Sequence, residues 1–364
     1  MAIILLILGF AFLIAGAEAL VRGASRLAAT LGLPSLVIGL TVVAYGTSAP
    51  ELAVSIFSSY KEQTDIAMGN IVGSNIFNVL FILGISALIA PLVVSRQLIR
   101  LDVPLMIGIS LLTLGLGSDG KISRFDGILL FVGAFLYTFF LIYQGRKEEK
   151  EASQKHHSPD PGKKLLPASK WFVNIGLIVG GLVLLVLGSQ WLVNGATEIA
   201  RNLGISELVI GLTIIAAGTS LPEVATSVIA SIRGERDIAV GNVVGSNMFN
   251  LLFVLGISGM VAPDGIQVSE TVLRFDLPVM IAVAIACLPV FFTGSLIARW
   301  EGGLFLGYYV AYTLYIILAA IQHKSLVLYT TAMLYFVIPL TILTLMVVSV
   351  QAIRTKRKNP RQYH

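Results

Sequence analysis

GTSAPE, Gly46 to Glu51, recurs as GTSLPE, Gly218 to Glu223, and these two copies decide how the rest of the chain reads. Each places a carboxylate directly after a proline inside an apolar run. Each is followed by a second shared block, DIAMGNIVGSNIFNVLFILGIS from Asp65 and DIAVGNVVGSNMFNLLFVLGIS from Asp237, which agree at 17 of 22 positions. Both elements are offset by 172 residues, so about half of the chain is a copy of the other half. A period that long exceeds a solenoid unit and fits the two-fold internal repeat of a membrane transporter.

Composition agrees. The chain is 56% hydrophobic and 12% charged, whereas a soluble domain carries about 25% charged residues. Apolar runs at 2–28, 34–59, 66–91, 98–117, 125–144, 172–198, 206–231, 238–262, 270–293, 300–321 and 326–352 are each long enough for a membrane helix, which takes roughly 20 residues. The first run has no small-residue cleavage site and has a repeat partner at 172–198, so it reads as a retained helix rather than a signal peptide. The single cysteine, Cys287, excludes an intramolecular disulfide and a cysteine metal cluster.

Alternating through eleven spans with the amino terminus outside puts nineteen basic residues inside, among them Arg22, Arg26, Arg96, Arg100, Arg233, Arg236 and Arg299, and six outside. Positive charge marks the cytoplasmic side, so an outside amino terminus and a cytoplasmic carboxyl terminus are expected. Each repeat holds five spans, and an odd number forces the second copy to enter from the opposite face. The expected fold is therefore an all-α polytopic membrane protein with an inverted five-plus-five helix repeat and an additional eleventh, C-terminal helix. It divides into a first repeat (1–145), a polar cytoplasmic linker (146–170), a second repeat (171–322), and the extra helix with its basic tail (323–364). His156 and His157 in the linker have no partners at ligand spacing and read as a solvated pair, not a metal site.

Glu51 and Glu223 sit in apolar sequence with no basic residue nearby along the chain. A carboxylate at membrane depth is expensive and persists where it is paired or functional. The preceding Pro50 or Pro222 removes a helix hydrogen bond and clashes with the carbonyl of Gly46 or Gly218 four residues back. Carbonyls around Thr47 and Thr219 are thereby candidates for ligand binding. Asn70, Ser74 and Asn78 recur at four-residue spacing on one helix face, and Asn242, Ser246 and Asn250 repeat them. Two carboxylates, amides, hydroxyls and carbonyls form an all-oxygen set suited to a hard cation such as calcium. No cysteine and no histidine accompanies these motifs, which argues against zinc or copper. Gly69, Gly73, Gly241 and Gly245 read as small residues that let helices approach. Glu62, Asp65, Glu235 and Asp237 read as loop charges, Asp102 and Asp276 as interfacial, and Glu18 as an i,i+4 partner of Arg22 whose repeat counterpart is Gln190.

These residues resemble the two alpha repeats of the calcium/cation antiporter superfamily, most closely its sodium/calcium exchanger branch. The resemblance covers roughly 16–117 and 188–293. It implies ten core helices and a secondary active antiporter, with calcium and sodium as transported substrates, no cofactor, the lipid bilayer as surroundings, no nucleic-acid partner and no obligate protein partner. It implies calcium coordination by Glu51, Glu223 and the carbonyls of Thr47 and Thr219. Sodium would use the same carboxylates with Ser48, Ser220, Ser74, Ser246 and the carbonyls of Ala44 and Ala216. Asn78 and Asn250 occupy the last polar position of the third and eighth helices. Some relatives carry an aspartate there, and potassium-dependent ones an acidic residue in the second repeat, so two asparagines weigh against potassium dependence. The resemblance also implies that the first and sixth helices slide past a fixed core, with Gly9, Gly16, Gly176, Gly180, Gly181 and Gly188 smoothing their surfaces. Exchange of calcium for protons at the same carboxylates stays open, and a passive channel is disfavoured by the inverted design. A prokaryotic plasma membrane is the expected location.

Overall fold

The computed structural model describes residues 1–155, 168–292 and 295–347; His156, His157 and the basic tail from Arg354 lie outside the described residues. The helices are α1 (Ala2–Leu31), α2 (Ser35–Thr47 and Ala49–Tyr60, bent by 48°), α3 (Thr64–Ile89), α4 (Leu98–Asp119) and α5 (Arg124–Glu148). The second repeat gives α6 (Trp171–Asn202), α7 (207–218, then Leu221–Arg233), α8 (Arg236–Val261), α9 (Val272–Phe292) and α10 (Arg299–Ala320), and α11 (Leu326–Val347) follows. Among the described residues, nine of these helices are long and apolar enough to cross a membrane, ten with the bent α2 counted as one span, and the broken α7 takes the remaining place in the expected order.

The helices carry matching defects. Wide π-type turns fall at Gly39–Val43 and Gly211–Ile215, at Asn78–Leu83 and Asn250–Val254, and at Leu98–Asp102 and Val272–Asp276. Such turns cost hydrogen-bond geometry and are frequent at functional sites; here each recurs at the equivalent place in the other repeat.

Two short antiparallel pairs tie the loops together. β1 (Leu92–Val93) joins β4 (Leu296–Ile297), and β2 (Lys121–Ile122) joins β3 (Ile266–Gln267). Loops that pair must lie on the same face of the membrane. The loops after α3 and α9 share one face, and those after α4 and α8 share the other, as the alternation of spans requires.

α3 and α8 form the centre and are the most buried spans, whereas α1, α5, α6, α10 and α11 present apolar faces outward, where lipid would lie. α1 and α6 lie along one another. A methyl on Gly9 would stand 2.8 Å from the Gly188 carbonyl oxygen, and one on Gly16 would stand 2.8 Å from that of Gly181. These glycines therefore close the α1–α6 seam rather than face the core, and Gly176 and Gly180 have no neighbouring atom within 4 Å of such a methyl. The expectation of a glycine-smoothed sliding face is corrected: the glycines join the two helices to each other because only a missing Cβ lets backbones come this close.

The repeats differ in how their first broken arms pack. The first arm of α2 packs on α8, where a methyl on Gly245 would stand 2.6 Å from the Leu40 carbonyl oxygen and one on Gly241 would stand 3.1 Å from that of Leu36. Across the pseudo-two-fold axis, methyls on Gly69, Gly73 and Gly211 would meet nothing within 4 Å among the described residues. The 207–218 arm of α7 thus stands away from α3, and the molecule is closed on one face and loose on the other.

α1 is tied to the closed face. Arg233 on α7 bonds Glu18 (2.9 Å through Nε, 2.5 Å through Nη2), Glu18 also pairs with Arg22, and Ser25 donates to Glu235 at 2.7 Å. Glu235, read as a loop charge, is instead half-buried as an anchor for α1.

Candidate functional site

Both motifs break their helix at the same point. Ser48 (φ −81°, ψ 12°) and Ser220 (φ −91°, ψ 8°) leave helical geometry, and the second arm restarts with Pro50 or Pro222 in its first turn. Proline is tolerated there because its missing N–H would have had no partner. Glu51 and Glu223 then fall in the first turn of the new arm, where the positive end of the helix favours a carboxylate.

The two breaks meet across the repeats. Ser48 donates to Glu223 Oε1 at 2.8 Å, and Ser220 donates to Glu51 Oε1 at 2.7 Å. Thr47 donates to Asn242 Oδ1 at 3.1 Å, and Thr219 donates to Asn70 Oδ1 at 3.4 Å. Asn70 in turn donates to the Glu51 carbonyl at 3.1 Å and to Ser55 at 2.8 Å; Asn242 donates to the Glu223 carbonyl at 3.4 Å and to Ser227 at 2.9 Å. Each asparagine thus receives a hydroxyl from one repeat and braces the unwound backbone of the other. Sequence placed both on the polar face but could not show this bracing, since a face says nothing of the partner it meets.

Glu51 and Glu223 are 1% and 0% exposed, and Oε2 of each has no hydrogen-bond partner among the described residues. Asn78 Oδ1, Ser246 Oγ and Asn250 Oδ1 are likewise buried without a partner. The wide turn beginning at Asn78 packs on the Leu221–Arg233 arm, and that beginning at Asn250 packs on the Ala49–Tyr60 arm. Leaving a buried polar atom unsatisfied costs about 1–3 kcal/mol, so several such oxygens in one region point to a ligand that satisfies them. These five are oxygens; Nδ2 of Asn250 is partner-free among the described residues as well.

The other buried carboxylates take their partners within one repeat, and Oδ2 of Asp102, like Oε2 of the two glutamates, has none among the described residues. Glu301 accepts the Ala298 amide at 2.8 Å and caps the start of α10. Asp102, expected at the interface, is fully buried and accepts from Tyr137 at 3.1 Å; its counterpart Asp276 accepts from Tyr312 at 3.0 Å. The correction has a physical cause: each tyrosine comes from a helix far along the chain and gives the carboxyl a partner that a span-start position does not reveal.

Of the remaining candidates, Ser74 is buried on α3 and Thr47 is buried at the α2 break. The Ala44 carbonyl already accepts the Ser48 amide at 3.0 Å and Thr47 Oγ1 at 3.3 Å. Ala216 lies exposed on the loose arm of α7, so the second repeat does not reproduce the enclosure of Ala44. The Gly218 carbonyl, freed by Pro222, accepts Ser189 at 2.6 Å; the counterpart of Ser189 is Ala17, so Gly46 has no such donor. Cys287 is a buried residue of α9, away from these groups in the chain.

Inverted repeats with paired, broken helices and an oxygen-lined centre define a secondary transporter fold. The family described as sodium/calcium exchanger protein matches residues 1–143 and 173–318, and the chain belongs to it. The match ends before α11. Inner membrane protein YrbG of Escherichia coli is 39% identical over 285 residues, covering 77% of this chain and 86% of that protein. The sodium/calcium exchanger MaX1 of Methanosarcina acetivorans is 35% identical over 340 residues, covering 85% and 96%. Putative antiporter CaxA of Alkalimonas amylolytica is 40% identical over 296 residues, covering 79% and 88%. Among solved structures, the sodium-calcium exchanger NCX_Mj soaked with sodium and strontium superposes with a TM-score of 0.72 at 30% identity, covering 85% of this chain and 96% of that one.

Proposed function

We propose that this protein exchanges sodium for calcium across a prokaryotic cell membrane by alternating access. The observation that carries the reading is the reciprocal pair Ser48–Glu223 and Ser220–Glu51, which brings two carboxylates from inverted repeats together and leaves one oxygen of each without a partner. Calcium would take Glu51 and Glu223 with the carbonyls of Thr47 and Thr219. Sodium would take the same carboxylates with Ser48, Ser220, Ser74, Ser246 and the carbonyls of Ala44 and Ala216, with Asn78 and Asn250 beside them. Overlapping ligands make the two ions exclude one another. An empty site leaves two uncompensated carboxylates at membrane depth, which opposes crossing without cargo and couples the fluxes.

With the amino terminus outside, as the basic residues favour, the loose 207–218 arm of α7 faces outward and the tight α2–α8 contact seals the cytoplasmic side. This arrangement admits ions from outside, and its mirror image, with α7 closed on α3 and α2 released from α8, would admit them from inside.

Calcium-45 uptake into proteoliposomes loaded with sodium, against potassium-loaded and acid-loaded controls, tests the reading. Uptake that requires internal sodium and vanishes in Glu51→Gln supports it. Uptake driven by acid loading alone transfers the coupling to protons, which the same partner-free carboxyl oxygens would accept. Absence of uptake under every gradient overturns it.

A further inference from the structure

We propose that Asn247 is a positioning residue that holds the Asn78 amide so that its oxygen, not its NH2 group, is offered to the cation. The proposal rests on the reading of Asn78 as a cation ligand. A side-chain amide carries an acceptor at one end and donors at the other, and only the oxygen end coordinates a metal ion. A site that uses an amide must therefore control which way it points.

Asn78 Nδ2 donates to Asn247 Oδ1 at 3.0 Å, which leaves Asn78 Oδ1 as the partner-free end. The orientation of Asn247 is itself set. Its Nδ2 donates to the Asn75 carbonyl at 3.3 Å and lies 3.6 Å from Met106 Sδ. The relay runs from the α3 backbone through a side chain of α8 and back to an α3 side chain, with Asn78 1% and Asn247 2% exposed.

The inverted repeat supplies an internal control. The counterpart of Asn247 is Asn75, whose Nδ2 donates to the Ile71 carbonyl of its own helix at 2.7 Å. The counterpart of Asn78 is Asn250, and neither its Nδ2 nor its Oδ1 has a partner. The relay exists once. Asn78 is a preset oxygen donor, whereas Asn250 is free to present either end and is oriented only by what binds. The two amides are near-equivalent in sequence context and unequal in role.

The test is calcium binding, and separately sodium binding, to the full-length purified protein in lipid nanodiscs, measured by titration calorimetry. Asn247→Leu keeps the branched shape with the same number of heavy atoms, though it is bulkier, and removes the acceptor; Asn247→Ser is a smaller polar alternative that cannot reach Asn78. Either is expected to weaken calcium binding by about tenfold, the lower end of what loss of a ligand-orienting partner costs at metal sites. In an Asn78→Asp background both ends of residue 78 are oxygens, so Asn247→Leu should there cost nothing. An undiminished loss in the Asn78→Asp background, or unchanged binding in both Asn247 variants, overturns the proposal. Glu51→Gln separates the two levels: if it abolishes binding while the Asn247 variants bind normally, the site reading stands and the positioning role falls, and if it binds calcium normally, both fall.

Discussion

At the residue scale, what sets Glu51 and Glu223 apart is that each takes its hydroxyl from the opposite repeat. Glu301 caps a helix and Asp102 takes a tyrosine hydroxyl from its own repeat; Oδ2 of Asp102, like Oε2 of Glu51 and Glu223, has no partner among the described residues. Removing either carboxylate charge leaves a divalent ion half-neutralised in a low-dielectric site. Glu51→Gln and Glu223→Gln should each reduce sodium-dependent calcium uptake to background in the proteoliposome assay. The serines do less. Ser48→Ala and Ser220→Ala each remove one hydrogen bond to a charged group, worth about 1.5–3 kcal/mol, and part of it is already given up when a cation takes over the carboxylate. Because the bond is stronger in the empty site than in the loaded one, calcium affinity should rise, by up to roughly tenfold, equivalent to about 1.4 kcal/mol, and equally for the two serines; a fall, or a tenfold difference between them, would contradict the symmetric geometry. The carboxylates were legible in sequence because their cost at membrane depth demands a reason. The bracing by Asn70 and Asn242 was not, because an amide on a polar face is compatible with packing, capping and ligation alike.

At the scale of helices, glycines that are equivalent in sequence do unequal work. Gly241 and Gly245 let α2 close on α8, whereas methyls on Gly69 and Gly73 would meet nothing within 4 Å among the described residues. Gly245→Ala would drive a methyl to 2.6 Å from the Leu40 carbonyl oxygen, and overpacking of this kind costs about 1–3 kcal/mol; a lowered Tm in nanodiscs checks it. Gly73→Ala should leave the Tm unchanged or slightly raised, since alanine favours the helix. If transport requires α7 to close on α3 as α2 closes on α8, Gly73→Ala should nonetheless slow calcium uptake severalfold. Unimpaired uptake would show that the mirror-image state is not visited. The α1–α6 seam makes a parallel case. Sequence showed glycines at intervals, but their facing direction depends on which neighbour lies alongside, and that is a tertiary fact.

At the scale of the whole molecule, near-identical repeats adopt different arrangements. Part of the asymmetry is written into residues that the repeat does not copy. Glu18 reaches Arg233 and Ser25 reaches Glu235, whereas the counterparts Gln190 and Lys61 cannot pair by charge, Thr197 Oγ1 has no partner, and the Lys61 ammonium sits over the Phe57 ring. The cross-links therefore favour the face that is closed here. An exposed ion pair contributes about 0.2–1 kcal/mol, so Glu18→Gln should shift the balance between the two facing states by up to about fivefold, since roughly 1 kcal/mol corresponds to that factor. The sole native cysteine, Cys287, is buried, so thiol labelling of an Ala216→Cys variant reports the exposed arm of α7 without background. Labelling should slow when Glu18→Gln is added; an unchanged rate would mean that the ion pair does not set the balance.

The sequence by itself determined the spans, the inverted repeat and the two intramembrane carboxylates, because hydropathy, repeat parity and the cost of buried charge are local or additive properties that a linear pattern records. Only the tertiary structure decided that Asp102 is buried against Tyr137, that the glycines of α1 and α6 face one another, that Asn78 is braced while Asn250 is not, and that one face is closed. Each of those depends on contacts between residues far apart in the chain, and two copies of nearly the same sequence cannot specify which of two mirror-related packings is occupied. A few uncopied residues and the packing around them make that choice.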